Sequence, residues 1–143
     1  MNFQLRFVMP SDPRFLPVVR AAVCELGVVH GLPDDGCRGI ALAVDEALAN
    51  IIRHAYKSRY DQEIELTCEV SDHQIEFTFF DRGEPPGPDT ICGRPLDDVS
   101  LSGRGTHLIK AIMDEVCYER VSDRNQLTLI KHLPAAKVSV DGE

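Results

Sequence analysis

Apolar and polar positions change period several times along this chain, and the changes mark its elements. Phe3, Leu5 and Phe7 alternate with Asn2, Gln4 and Arg6, the two-residue period of a half-buried strand. Pro10 to Pro13 breaks that run, with Ser11 or Asp12 placed to cap a helix and Pro13 suited to its first turn. Phe15, Leu16, Val19, Ala22, Val23 and Leu26 then recur at helical spacing, and Gly27 and Gly31 to Pro33 close the segment. A second helix follows, capped by Asp34 or Asp35. Its apolar face runs Ile40, Val44, Ala47, Leu48, Ile51, Ile52, Ala55, and it extends to about Lys57 or Ser58.

Alternation returns in the middle of the chain. Ile64, Leu66, Cys68 and Val70 are interleaved with Glu63, Glu65, Thr67 and Glu69; Ser71 to His73 turns the chain; Ile75, Phe77 and Phe79 complete a hairpin. The second strand ends at Phe80-Asp81-Arg82-Gly83. From Glu84 to Ser102 no period persists, and prolines 85, 86, 88 and 95 suggest a lid or binding loop. Gly103-Arg104-Gly105 leads into a short helix carrying Leu108, Ile109, Ile112 and Met113. Val116, Tyr118 and Val121 form a strand, Asp123-Arg124-Asn125 turns it, and Leu127, Leu129 and Lys131 line one face of the last strand. Antiparallel hairpins with a few helices predict an α+β fold: a two-layer α/β sandwich, its mixed, mostly antiparallel sheet covered by helices on one face. No repeat or linker interrupts it, so residues 1–134 read as a single domain and 135–143 as a loose tail.

Composition narrows the function classes. A formal net charge of -8 argues against a nucleic-acid binder or a binder of anionic membrane, both of which need clustered Lys and Arg. No long apolar run and no signal peptide stand out, which predicts a cytoplasmic protein. The five cysteines are widely spaced with no Cys-x-x-Cys pair, so reduced core thiols are expected rather than disulfides or zinc.

The candidate chemistry lies on the second helix. Glu46, Asn50 and His54 stand four residues apart with Arg53 beside them, which stacks a carboxylate, an amide and an imidazole along one face of a mostly apolar segment. Two further sites are Asp81-x-Gly83 at a strand end and Gly103-x-Gly105 before a helix, where glycines let backbone amides approach a phosphate. Singly, each could be plain turn or loop chemistry.

In this order, with a long insert between the second and third, the three motifs resemble the nucleotide site of the GHKL (histidine kinase-like) ATPase superfamily. More narrowly, they are similar to bacterial anti-sigma-factor serine/threonine kinases of the partner-switching type. The resemblance spans about Asp35 to Leu133 and rests on Glu46-Ala-Leu-Ala-Asn50-Ile-Ile-Arg53-His54-Ala-Tyr56, Asp81-Arg82-Gly83 and the run from Gly103 to Val116. It implies a Bergerat-type ATP-binding fold with ATP and Mg²⁺ as cofactors. Asn50 would supply an oxygen to Mg²⁺, Glu46 would be the general base, and Arg53 would contact phosphate. Asp81 would accept the adenine amino hydrogen, and Gly83 would let the backbone pass close to the base. Gly103 and Gly105 would bend a lid around the phosphates, with amides from Gly105 and Thr106 and a reach toward phosphate or partner from Arg104. His54 and His107 read as structural rather than chemical. Pro85 stands where many members have glycine, which bears on how the lid hinges.

The function implied is an Mg-ATP-dependent protein kinase that phosphorylates an anti-anti-sigma (STAS-type) regulator. A sigma factor is a second candidate partner, and a homodimer the suggested assembly. The alternative is a nucleotide-gated binding module without kinase activity. A plain α+β domain with no nucleotide is the third reading.

Overall fold

The computed structural model describes residues 2–85, 94–95 and 106–134. Its elements run β1 (Phe3–Pro10), a 3-10 turn (Pro13–Phe15), α1 (Leu16–Val29), α2 (Asp34–Asn50), a π-helical turn (Ile51–Ala55), β2 (Glu63–Val70), β3 (Gln74–Asp81), the two-residue β4 (Arg94–Pro95), α3 (Thr106–Ile112), β5 (Glu115–Val121) and β6 (Arg124–His132). All pairings are antiparallel, in the order β1-β2-β3-β6-β5-β4. The expected α+β sandwich is therefore present, with one short strand added inside the stretch read as a loop.

The period-2 pattern places the core. Phe7, Leu66, Phe79, Leu127 and Tyr118 share one register row, and Leu5, Cys68, Phe77, Leu129 and Val116 the next. Apart from Leu5, which is exposed on the edge strand, and Tyr118, which packs on Val116 and Leu127, these rows pack against Val19, Val23 and Leu26 of α1 and Ile40, Val44, Ala47 and Leu48 of α2; Ile109 of α3 joins them. Cys37 and Cys68 are buried free thiols, and burial pushes the Cys68 thiol up to about 12, so it stays protonated in the core.

Several boundaries differ from the sequence expectation. β1 runs through Pro10, which a central strand would not tolerate; β1 is the sheet edge, where no ladder bond is lost. Asp12 does cap, but a 3-10 turn: its carboxylate accepts from the Arg14 amide at 3.0 Å. Gly27 lies inside α1 and is buried, because a Cβ there would come within 2.9 Å of the Cys37 sulfur of α2. Neither Asp34 nor Asp35 is the N-cap of α2. Pro33 holds that position without a side-chain bond, and the two acids sit in the first turn, where they complement the helix dipole.

Candidate functional site

The largest difference lies at the polar stripe. α-Helical bonding ends at Asn50, and residues 51–55 form a π-helical turn in which the Tyr56 amide bonds the Ile51 carbonyl at 2.9 Å. Single π turns inside helices are frequent at functional sites. The wider turn begins between Asn50 and His54, so the four-residue step of an α-helix does not carry from one to the other. One side chain that reaches Asn50 is Arg53. Its guanidinium donates to Asn50 Oδ1 at 3.1 Å and pairs with Glu46 Oε2 at 3.6 Å. Glu46, Asn50 and Arg53 thus converge, with Glu46 and Asn50 partly buried and Arg53 half exposed.

The π turn also docks the helix end onto the strand that carries Asp81. Tyr56 is 2 % exposed; its hydroxyl donates to the Glu63 carbonyl at 2.6 Å and accepts the Arg82 amide at 2.8 Å. The Glu84 amide donates to the Ala55 carbonyl at 2.9 Å. Gly83 packs so tightly here that any Cβ would fall onto the Ala55 carbonyl. Packing of backbone on backbone is thus one reason for glycine at this position.

Asp81 ends β3 on the inner sheet face and is 5 % exposed. Across the sheet it pairs with Asn125 of β6, which pairs with Arg120 of β5. Asn125 Nδ2 donates to Asp81 Oδ1 at 2.7 Å, and the Gly83 amide donates to the same oxygen at 2.9 Å. Burial raises the Asp81 carboxyl above the usual carboxylate value; the bonds from Asn125 and Gly83 and the charge of Arg120 oppose that shift. Among the described residues nothing donates to Asp81 Oδ2, which leaves one oxygen to accept from a ligand.

The bonding roles of Asn125, Arg120, Tyr118 and Tyr56 are not visible in the sequence pattern. The sequence pattern places Asn125 in a turn, but the turn is Ser122-Asp123, with Ser122 at φ 59°, and Asn125 lies inside β6. The signal that could have found it is the two-residue period of β6 extended backwards from Leu127. Gly103, Arg104 and Gly105 lie outside the described residues. Thr106 is the first residue of α3, a helix that approaches α2 where Ile112 meets Gly39. No described helix is long and apolar enough to cross a membrane.

The donor set suits a hard cation bound mostly through its own waters and a ligand's phosphates. Asn50 offers an amide oxygen, and the described residues hold no cluster of three acids, histidines or cysteines that would form an all-protein metal cage.

Residues 9–131 match the histidine kinase-like ATPase domain family. The chain is 26% identical to the serine-protein kinase RsbW of Bacillus subtilis, over 93% of this chain and 88% of that protein. It is also 26% identical to RsbW of Listeria monocytogenes, over 81% of this chain and 79% of that one. Among solved structures, the RsbU and RsbW domains of Rv1364c from Mycobacterium tuberculosis superpose with a TM-score of 0.67 at 18% identity. That match covers 96% of this chain and 35% of the mycobacterial one, so this chain spans about a third of it. A blue-light activated histidine kinase domain from Erythrobacter litoralis gives 0.56 at 21% identity, covering 87% of this chain and 61% of that one. The match over residues 9–131 places this chain in the histidine kinase-like ATPase domain family, and within it the chain resembles the serine-protein kinases named RsbW.

Proposed function

We propose that this protein is an ATP-binding serine/threonine kinase of the anti-sigma-factor type, which phosphorylates an anti-anti-sigma regulator of the STAS class. The observation that carries this reading is the convergence of Glu46, Asn50 and Arg53 on one helix end that is itself bonded to the Asp81 strand. The similarity to serine-protein kinases named RsbW supports it.

Each residue then has a task. Asp81 Oδ2 accepts the amino hydrogen of adenine. Asn50 Oδ1 holds Mg²⁺, which when bound neutralises charge on the phosphates. Arg53 turns from Asn50 and Glu46 to a phosphate oxygen, which frees both partners for their own roles. Glu46 takes the proton of the acceptor serine hydroxyl as its oxygen bonds the γ-phosphorus and the bridging oxygen leaves with ADP. Gly103, Arg104, Gly105 and Thr106 enclose the phosphates. A sigma factor is the second partner of this reading, a homodimer its working assembly and the cytoplasm its compartment.

Incubation with ATP, Mg²⁺ and candidate STAS-domain proteins tests the activity. Phosphoserine or phosphothreonine on the partner is expected, lost in Glu46→Ala. No modification of any partner, or full activity in Glu46→Ala, overturns it. The pairing of Glu46 with Arg53 favours one second reading, a nucleotide-gated binding module in which the acid is never released. Partner capture that survives Glu46→Ala but is lost in Asn50→Ala, without phosphorylation, selects that reading.

A further inference from the structure

Beneath Asp81 lies a polar network that the proposed chemistry does not use. Asn125 is 2 % exposed and Tyr118 5 %. Asn125 Oδ1 accepts from the Tyr118 hydroxyl and from the Arg120 guanidinium at 2.7 Å. Two donors on the oxygen leave the amide one orientation, with Nδ2 facing acceptors. Those acceptors are Asp81 Oδ1 at 2.7 Å, the Gly83 carbonyl at 3.1 Å and the Glu84 carbonyl at 3.3 Å. Arg120 also donates to the Gly83 carbonyl at 3.1 Å. An amide buried this deeply with both ends satisfied has a fixed rotamer, and it fixes what it touches.

We propose that Asn125, oriented by Tyr118 and Arg120, is the positioning residue that sets base selectivity by holding Asp81 with one oxygen occupied and the other presented as an acceptor. The inference rests on the adenine reading of Asp81. An amide donor on Oδ1 favours the ionised carboxylate, which can only accept. An accepting Asp81 suits a purine with an amino group at position 6 and leaves a 6-keto purine with two acceptors face to face. A site built to pair with an N–H discriminates against the analogue that lacks it. In Asn125→Asp the oxygen that Tyr118 and Arg120 bind is retained, but the donor to Asp81 becomes a second acceptor. The two carboxyls then share a proton, and Asp81 presents a donor part of the time.

The test is titration calorimetry of the whole protein with ATP and with inosine triphosphate, which differ at position 6. The wild type is expected to prefer ATP, and the ratio of the two dissociation constants to fall on the order of tenfold in Asn125→Asp, the scale of one hydrogen bond. Equal weakening of both nucleotides, with the ratio unchanged, is the signature of a structural residue and overturns the proposal. Should Asn125→Asp not fold, Tyr118→Phe removes one of the two donors on the amide oxygen. A reduced ratio there supports the positioning role, and an unaltered one overturns it. A wild type that binds ATP and inosine triphosphate alike overturns the adenine reading itself, an outcome distinct from an Asn125 variant that keeps the wild-type preference.

Discussion

Asp81 is the residue whose environment says most about its use. A carboxyl this buried costs free energy to ionise, and its pKa stands above the usual 3.8. Its native form holds its proton more tightly than the unfolded chain does. The stability it contributes is therefore fully present below the unfolded value and is lost as pH rises through the raised native value. Ligand binding runs the other way, because the ionised carboxylate is the stronger acceptor for an amino group and a protonated one turns an oxygen into a donor. ATP affinity is thus expected to decline, as pH falls, at a higher pH than an ordinary carboxylate would give. Asp81→Asn should bind ATP more weakly and lack that acidic limb. Calorimetric affinities between pH 4 and 8 check it, and an Asp81→Asn profile that matches the wild type sinks the assignment.

At the scale of elements, what matters is how the α2 end and the β3 end are joined. Gly83 sits where a Cβ would collide with the backbone of Ala55, and backbone cannot yield as a flexible side chain can. Gly83→Ala should cost about 1–3 kcal/mol, the scale of an overpacked contact. It is read as a lower denaturation midpoint at unchanged m-value. Tyr56→Phe keeps the ring but strands the Arg82 amide, and should cost a further, separate increment of about 1–3 kcal/mol. A midpoint within error of wild type for both variants contradicts the joint.

The same joint shows what the sequence could disclose. Glu46, Asn50 and Arg53 were legible because polar groups on an apolar helix break a 3.6-residue pattern. The π turn was not, since Ile51, Ile52 and Ala55 are buried under either winding and leave no trace in the apolar pattern. Asn125 was hidden by its own chemistry. Asn and Asp are turn formers, and Asp123-Arg124-Asn125 satisfies that rule, whereas Ser122 takes the positive φ and the turn closes earlier. The reason for Gly27 lies across α1 and α2 in Cys37, a contact 10 residues away that no local rule reports.

For the whole molecule, the site and the core occupy the same two layers yet should respond separately to substitution. Asn50 is partly exposed at the end of α2, while Phe77 is fully buried on the inner face of β3. A ligand that binds only the native state stabilises it by about 2.7 kcal/mol at a hundredfold excess over its dissociation constant. For a chain of this size that raises the melting temperature on the order of 5–10 °C. With Mg-ATP the wild type should show this rise. Asn50→Ala should melt near the wild-type temperature without nucleotide and lose most of the rise, because it removes a ligand contact and little packing. Phe77→Ala should do the reverse. A buried aromatic truncated to alanine costs about 3–5 kcal/mol, so its baseline falls steeply while the rise from Mg-ATP persists in whatever fraction folds. If Asn50→Ala lowers the nucleotide-free melting temperature as far as Phe77→Ala does, its amide belongs to the scaffold rather than to the nucleotide. If the wild type shows no rise at millimolar ATP, the stripe on α2 faces some other ligand.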